Sequence, residues 1–248
     1  MAVFNKFTFD GIDSLANGIY ITGEAVYNAP ERVVDMISVP GRNGAIAIDQ
    51  GRFENIIVTY PAGAFADEQS NFADNIASFR NKLVSRYTYK RLTDSYNTGE
   101  FRMGLYHSGL EVGAVSRSRA GEFLISFDCK PQRWLTSGET VQTFTASGTI
   151  TNPTLFPARP LLAVTGAGNL TVGTQTMTLI ARSNPASILY IDCESQEAWE
   201  LSGGVMYSRN DYVQNAGDDF PSLVAGSNTV TLGTGITNVD ITPRWWKI

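Results

Sequence analysis

The chain of 248 residues carries 19 Lys and Arg against 24 Asp and Glu, a formal net charge of −5, and is 43 % hydrophobic and 17 % charged. This balance provides no basic stripe to track phosphates. No run approaches the ~20 apolar residues of a membrane helix, and the strand-like start MAVFNKFTFDG does not read as a signal peptide. Synthesis in a reducing cytoplasm is therefore expected, with Cys129 and Cys193 as small buried hydrophobes kept reduced. The stretch to Leu135 is dense in balanced charge, and the stretch from Ile150 is sparse and acidic. With this length, the asymmetry predicts two domains. The 23 glycines and 11 % aromatic residues suit a mainly β protein.

In chain order, strand signals come first. Lys6–Phe9, Arg32–Val39, AIAID (Ala45–Asp49) and FENIIVTY (Phe53–Tyr60) alternate and are bounded by Gly, Pro or Asn. Between the second and third lies PGRNG (Pro40–Gly44), where Asn-Gly predicts a tight hairpin turn. Residues 67–86 break the pattern: Phe72, Ile76, Phe79 and Leu83 form one apolar helical stripe. Asp67 and Glu68 lie at its N-terminal end and Lys82 and Arg86 at its C-terminal end, as the helix dipole favours. Strands resume at Tyr87–Leu92, Glu100–Tyr106, Leu110–Ser116 and Glu122–Lys130. A stretch rich in Ser, Thr and Gly, 136–151, reads as a linker between a first domain over 1–135 and a second over 152–248. Three prolines stiffen the start of the second half. Short strands then follow at Leu161–Thr165, Leu170–Val172, Thr176–Ala181, Ser187–Cys193, Ala198–Leu201, Asn228–Leu232 and Val239–Thr242, the spacing of a β-sandwich.

Chemistry is sparse. His107 is the one histidine, and a lone imidazole builds no His-based metal site. Cys-x-x-Cys, Gly-x-Ser-x-Gly and phosphate-cradling glycine motifs are absent. Two carboxylate pairs, Glu194 with Glu197 and Asp218 with Asp219, are the material a glycosidase uses. Nothing in the sequence sets either pair across a cleft, and the second reads as a solvated turn. No catalytic residue, cofactor or metal is assigned. Arg42 and Asn43 in PGRNG, and Arg52 in QGRFEN, are candidate subunit contacts, since a guanidinium fork in a hairpin can reach a neighbour. In the closing ITPRWWKI, Arg244, Trp245 and Trp246 are further candidates. Adjacent strand residues point to opposite faces, so one tryptophan is expected in the core and the other at the domain junction or against a partner.

Several segments together resemble the distal tail protein (Dit) family of long non-contractile-tailed bacteriophages. They are FDGIDS, YNAPERVVDMISVPGRNG and GRFENIIVTYP in the first half, and NPTLFPARPLLAVTGAG, YIDCESQEAW, FPSLVAGSNTV and PRWWKI in the second. The resemblance implies two β-sandwich domains, the first ring-forming with a single helix and the second galectin-like. It implies a homohexameric ring that joins the tail tube protein to the tail-associated hub protein. Receptor-binding and tape-measure proteins are further implied partners, and the genome passes through the lumen without specific binding. The place of action is the tail tip of the virion, after assembly in the host cytoplasm, with no catalysis and no membrane insertion. The alternative is a carbohydrate- or receptor-binding module acting through the second domain, with Trp199 as its glycan-stacking residue. The second half contains no histidine, and a galectin-like fold alone does not imply sugar binding.

Overall fold

The structure, a computed structural model, describes residues 4–24, 28–65, 69–115, 120–215 and 219–248. It is mainly β, with one α-helix among the described residues, and divides into two compact units, Met1–Arg133 with Ile248, and Trp134–Lys247.

The first unit contains β1 (Phe7–Phe9), β2 (Ile12–Asp13), β3 (Ile19–Ile21), β4 (Arg32–Ser38), β5 (Ala45–Phe53), β6 (Ile56–Phe65), α1 (Gln69–Val84), β7 (Lys90–Asp94), β8 (Glu100–Leu105), β9 (Gly113–Val115) and β10 (Ala120–Cys129). One antiparallel path runs β2-β1-β7-β8-β10-β6-β3, with β9 added to β10. Its spine is the long β6–β10 pairing, from Ile56 opposite Cys129 to Phe65 opposite Ala120. The path rolls on itself. Phe7 of β1 stacks on Tyr60 of β6 at 5.3 Å and meets the edge of Phe127 of β10 at 5.4 Å. An isolated bridge between Asn5 and Ile21 brings the two ends of the path together.

The alternation of β10 places Phe123, Ile125, Phe127 and Cys129 inside this roll, as the sequence predicts. Helix α1 buries Phe72, Phe79 and Leu83 against the same core, with Ile76 half-covered. Each such side chain contributes ~1.5–3 kcal/mol on leaving water. The stripe is as predicted, while the helix is described over 69–84; Asp67 and Glu68 lie outside the described residues. The expected single strand 53–60 is divided: β5 ends at Phe53 and β6 starts at Ile56, with Glu54 and Asn55 exposed between them.

In the second unit, β11 (Arg133–Leu135) starts at the division. There follow β12 (Gln142–Phe144), β13 (Gly148–Asn152), β14 (Leu161–Gly166), β15 (Gly168–Val172), β16 (Gln175–Leu179), β17 (Ile188–Asp192), β18 (Glu197–Ser202), β19 (Val205–Ser208), β20 (Val213–Asn215), β21 (Gly226–Leu232), β22 (Ile236–Thr242) and β23 (Trp246–Lys247). Two sheets, β12-β22-β14-β17-β18-β19 and β13-β21-β15-β16-β20, face each other across one core. Leu162, Val164, Leu189, Ile191, Val239 and Ile241 enter from the first sheet; Ile150, Leu170, Val172, Met177, Leu179 and Val230 enter from the second. This is a β-sandwich.

The stretch 136–151 is not a linker. Its strands β12 and β13 pair with β22 and β21 inside the second unit, and Ile150 is buried. Ser, Thr and Gly there serve a half-exposed edge pattern and a turn, which composition alone reads as flexible. The Pro-rich start of this half is fixed by Asn152. Its amide donates to the carbonyls of Phe156 and Leu223, both at 2.9 Å, and its Oδ1 accepts from the backbone of Thr154.

Candidate assembly surface

Strands β4 and β5 form a two-stranded arm that pairs with no other strand among the described residues. Register places Val34 opposite Asp49, Met36 opposite Ala47 and Ser38 opposite Ala45 on one face. Asp35 opposite Ile48 and Ile37 opposite Ile46 occupy the other. Both faces are therefore apolar towards the tip, and both face solvent within the protomer. Met36 is 66 % exposed, Ile37 47 % and Ile48 44 %. Only Val33 and Phe53 in the two strands are even partly covered. A lone two-stranded hairpin is marginal in water, and long apolar edges are templates for association.

Polar groups pin the base of this arm. Arg32 pairs with Asp49 and lies over Phe53, Gln50 donates to Asp35, and the backbone N–H of Gly51 donates to Asp49 at 2.9 Å. The tip spans residues 39–44 and is longer than the expected tight turn. Gly41 and Gly44 take left-handed φ of 81° and 79°, and Asn43 does not. Arg42 and Asn43 are exposed at this tip. Arg52 lies on β5 and pairs with Glu54 at 3.1 Å. The structure thus gathers these three candidates on one arm, together with Met36, Ile37, Ile46 and Ile48, which motif reading missed. The available signal was that VVDMI and AIAI are apolar at both alternating sets of positions, interrupted only by Asp35.

The C-terminal candidates form a clasp inside the second unit. β22 ends at Thr242, and Arg244 adopts a left-handed φ of 60°. That conformation is costly for a residue with a Cβ. It is held by two guanidinium bonds to Asp192, at 2.7 and 2.9 Å, and by the Arg244 N–H donating to the Gly138 carbonyl at 2.8 Å. Burial pushes the Asp192 carboxyl up, but Arg244 and the backbone N–H groups of Glu194 and Ser195 outweigh it and hold it below the usual range. The kink sends Trp245 into the core, 3 % exposed, with its carbonyl accepting from Leu135 N–H at 2.9 Å. Gly138 packs so closely beneath that a Cβ there would overlap the backbone nitrogen of Trp245. Trp246 instead stacks on Phe156 at 4.5 Å and donates from Nε1 to the Pro157 carbonyl at 3.0 Å.

No family model matches the sequence, and no curated protein is similar enough to match. Solved structures do match. The SPP1 Dit (gp 19.1) protein, a paradigm of hub adsorption apparatus in phages infecting Gram-positive bacteria, is similar over 99 % of this chain and 100 % of its own, with a TM-score of 0.73 at 14 % identity. The chain has the Dit fold. A component of the phage P2 baseplate, in its activated conformation with Ca or with Sr, is similar over 96 % of this chain and 98 % of its own, with a TM-score of 0.52 at 7 % identity.

Within this Dit fold the remaining candidates are dispersed. Trp199 is half-buried and stacks on Tyr190 at 5.8 Å, so a neighbouring ring covers one of its faces. Glu194 and Glu197 are exposed around the β17–β18 turn. Asp219 pairs with Arg159 at 3.2 Å, and Asp218 lies outside the described residues. His107 is a surface residue with Nε2 3.7 Å from Asp128. Cys129 and Cys193 are buried in separate cores, and burial pushes each thiol up to about 12.

Proposed function

We propose that this chain is a structural hub protein of a bacteriophage tail tip. Six copies form a ring that joins the tail tube protein to the tail-associated hub protein and carries receptor-binding proteins, with the genome passing through its lumen. The observation that carries this reading is the β4–β5 arm, a sheet apolar on both faces in a chain with the Dit fold over its whole length. An apolar arm of one protomer set against the body of the next is a head-to-tail contact, and such contacts close into a ring where the rotation between neighbours closes. Arg42, Asn43 and Arg52 then lie at the rim of that contact, where charge steers association more than it holds it. In this reading the protein has no catalytic role and belongs to the virion.

The test is light scattering across a concentration series, with negative-stain microscopy of the same sample. Ring-shaped particles of hexameric mass are expected. Ile37→Asp and Ile46→Asp should abolish them while leaving the far-ultraviolet spectrum unchanged, because neither side chain enters the protomer core. A monomer at every concentration, including with tail tube protein added, refutes the reading.

A further inference from the structure

The sequence contains two Asn-Gly pairs, Asn17–Gly18 and Asn43–Gly44. Such a pair carries its own chemistry. The backbone nitrogen after an asparagine can attack the side-chain amide carbon, and glycine offers that nitrogen with no side chain to crowd the approach. Attack requires an uncommitted N–H on the glycine, an uncommitted side-chain amide and room for the two to meet.

The fold withholds these from the first pair and grants them to the second. Asn17 closes a short 3-10 helix, Leu15–Asn17, and is half-buried. The Gly18 N–H donates to the Leu15 carbonyl at 3.0 Å, Asn17 Nδ2 donates to the Asp13 carbonyl at 2.7 Å, and Asn17 Oδ1 accepts from Lys82 Nζ at 2.7 Å. Each bond must break before the amide can turn onto the Gly18 nitrogen. Asn43 and Gly44 instead lie exposed at the tip of the β4–β5 arm. Among the described residues, neither the Asn43 side chain nor the Gly44 N–H makes a hydrogen bond. A Cβ built on Gly44 would meet nothing within 4 Å, so no neighbouring group obstructs the approach.

We propose that Asn43 is a site of spontaneous modification in the uncovered protomer, converting to aspartate and isoaspartate while Asn17 persists. The Gly44 nitrogen bonds to Asn43 Cγ, the bond from Cγ to the amide nitrogen breaks, and that nitrogen leaves as ammonia with the proton from Gly44. Water, the sole co-reactant, then opens the cyclic imide at either carbonyl. One opening gives an aspartyl link, and the other an isoaspartyl link with an extra methylene in the main chain. Either product sets a carboxylate beside Arg42 at the tip. The site assignment is independent of ring assembly. Its consequence, an altered charge at the rim of the subunit contact, rests on the ring reading above.

Peptide mass spectrometry of the full chain, held in mildly alkaline buffer at physiological temperature, tests it, with enzymatic methylation detecting isoaspartate. In the native protein Asn43 should convert at least about tenfold faster than Asn17, because the hydrogen bonds that hold Asn17 are together worth that factor or more. In guanidinium chloride the two rates should converge, since both sites are then unrestrained Asn-Gly pairs. A chain carrying both Ile37→Asp and Ile46→Asp is run in parallel, because its arm stays uncovered whatever the wild type assembles into. Faster conversion at Asn43 in this chain than in the wild type supports the site and shows a neighbour covering the tip; equal conversion in the two chains supports the site and weighs against that coverage. Asn43 converting no faster than Asn17 in both native chains, or a rate gap that persists in denaturant, overturns the proposal.

Discussion

Truncating the two adjacent tryptophans separately should give very unequal losses. Trp245 is 3 % exposed in the sandwich core. A tryptophan of this kind buries ~200 Å², which at ~25 cal/mol/Å² corresponds to about 5 kcal/mol. Large-to-small core substitutions of Trp measure ~3–5 kcal/mol, so Trp245→Ala should cost about 4 kcal/mol. For a domain of this size that lowers the melting temperature by about 15 °C or more. Trp246 is half-buried at the edge of the same core, where its main contacts are one stacked ring and one hydrogen bond. At ~0.5–1.5 kcal/mol for each, Trp246→Ala should cost about 1–3 kcal/mol. The assay is differential scanning calorimetry, following the transition of the second unit and leaving that of the first as an internal control. Trp245→Phe should recover part of the loss. Equal losses at the two positions, or a Trp245→Ala loss below about 1 kcal/mol, refute the assignment of one ring to the core and the other to a surface stack.

Three further outcomes are expected. Asp192 has its carboxyl held low by Arg244 in the folded state, so its contribution is present above the unfolded carboxylate value of about 4 and fades as pH falls through the folded one. Asp192→Asn should therefore destabilise the second unit at pH 7 by about 1–3 kcal/mol and flatten its loss of stability on acidification, measured by urea unfolding between pH 7 and 3. Cys129 and Cys193, both buried with thiols at about 12, should resist a thiol reagent at pH 8 and react once the chain is unfolded; fast labelling of the native protein contradicts their burial. Gly138→Ala should cost about 1–3 kcal/mol by forcing Arg244 and Trp245 away from β11, read from the same calorimetric transition.

The core was legible in the sequence wherever one face of an element is buried and the other is wet. Phe72, Phe79 and Leu83 at helical spacing, and Phe123, Ile125, Phe127 and Cys129 at strand spacing, leave no choice of face. Legibility failed where a strand departs from that rule. β12 and β13 are thin in apolar residues because each lies at the end of its sheet, so Ser, Thr and Gly were read as linker. The arm fails in the opposite sense, being apolar on both faces with neither buried in the protomer. The double tryptophan was expected to be divided by strand alternation. It is divided by the left-handed turn at Arg244, whose anchor Asp192 lies far away in the chain.

In the proposed ring, the arm sets a time limit on the free protomer. Uncovered, the arm presents two strand edges unpaired among the described residues and two apolar faces, which is the geometry of an aggregation seed. Each face carries one aspartate, Asp35 beside Ile37 and Ile48, and Asp49 beside Val34. A charge flanking an unavoidable apolar strand acts as a gatekeeper against indiscriminate pairing. These two carboxylates, held by Gln50 and Arg32, place charge on each face of the arm and oppose its pairing with a like arm.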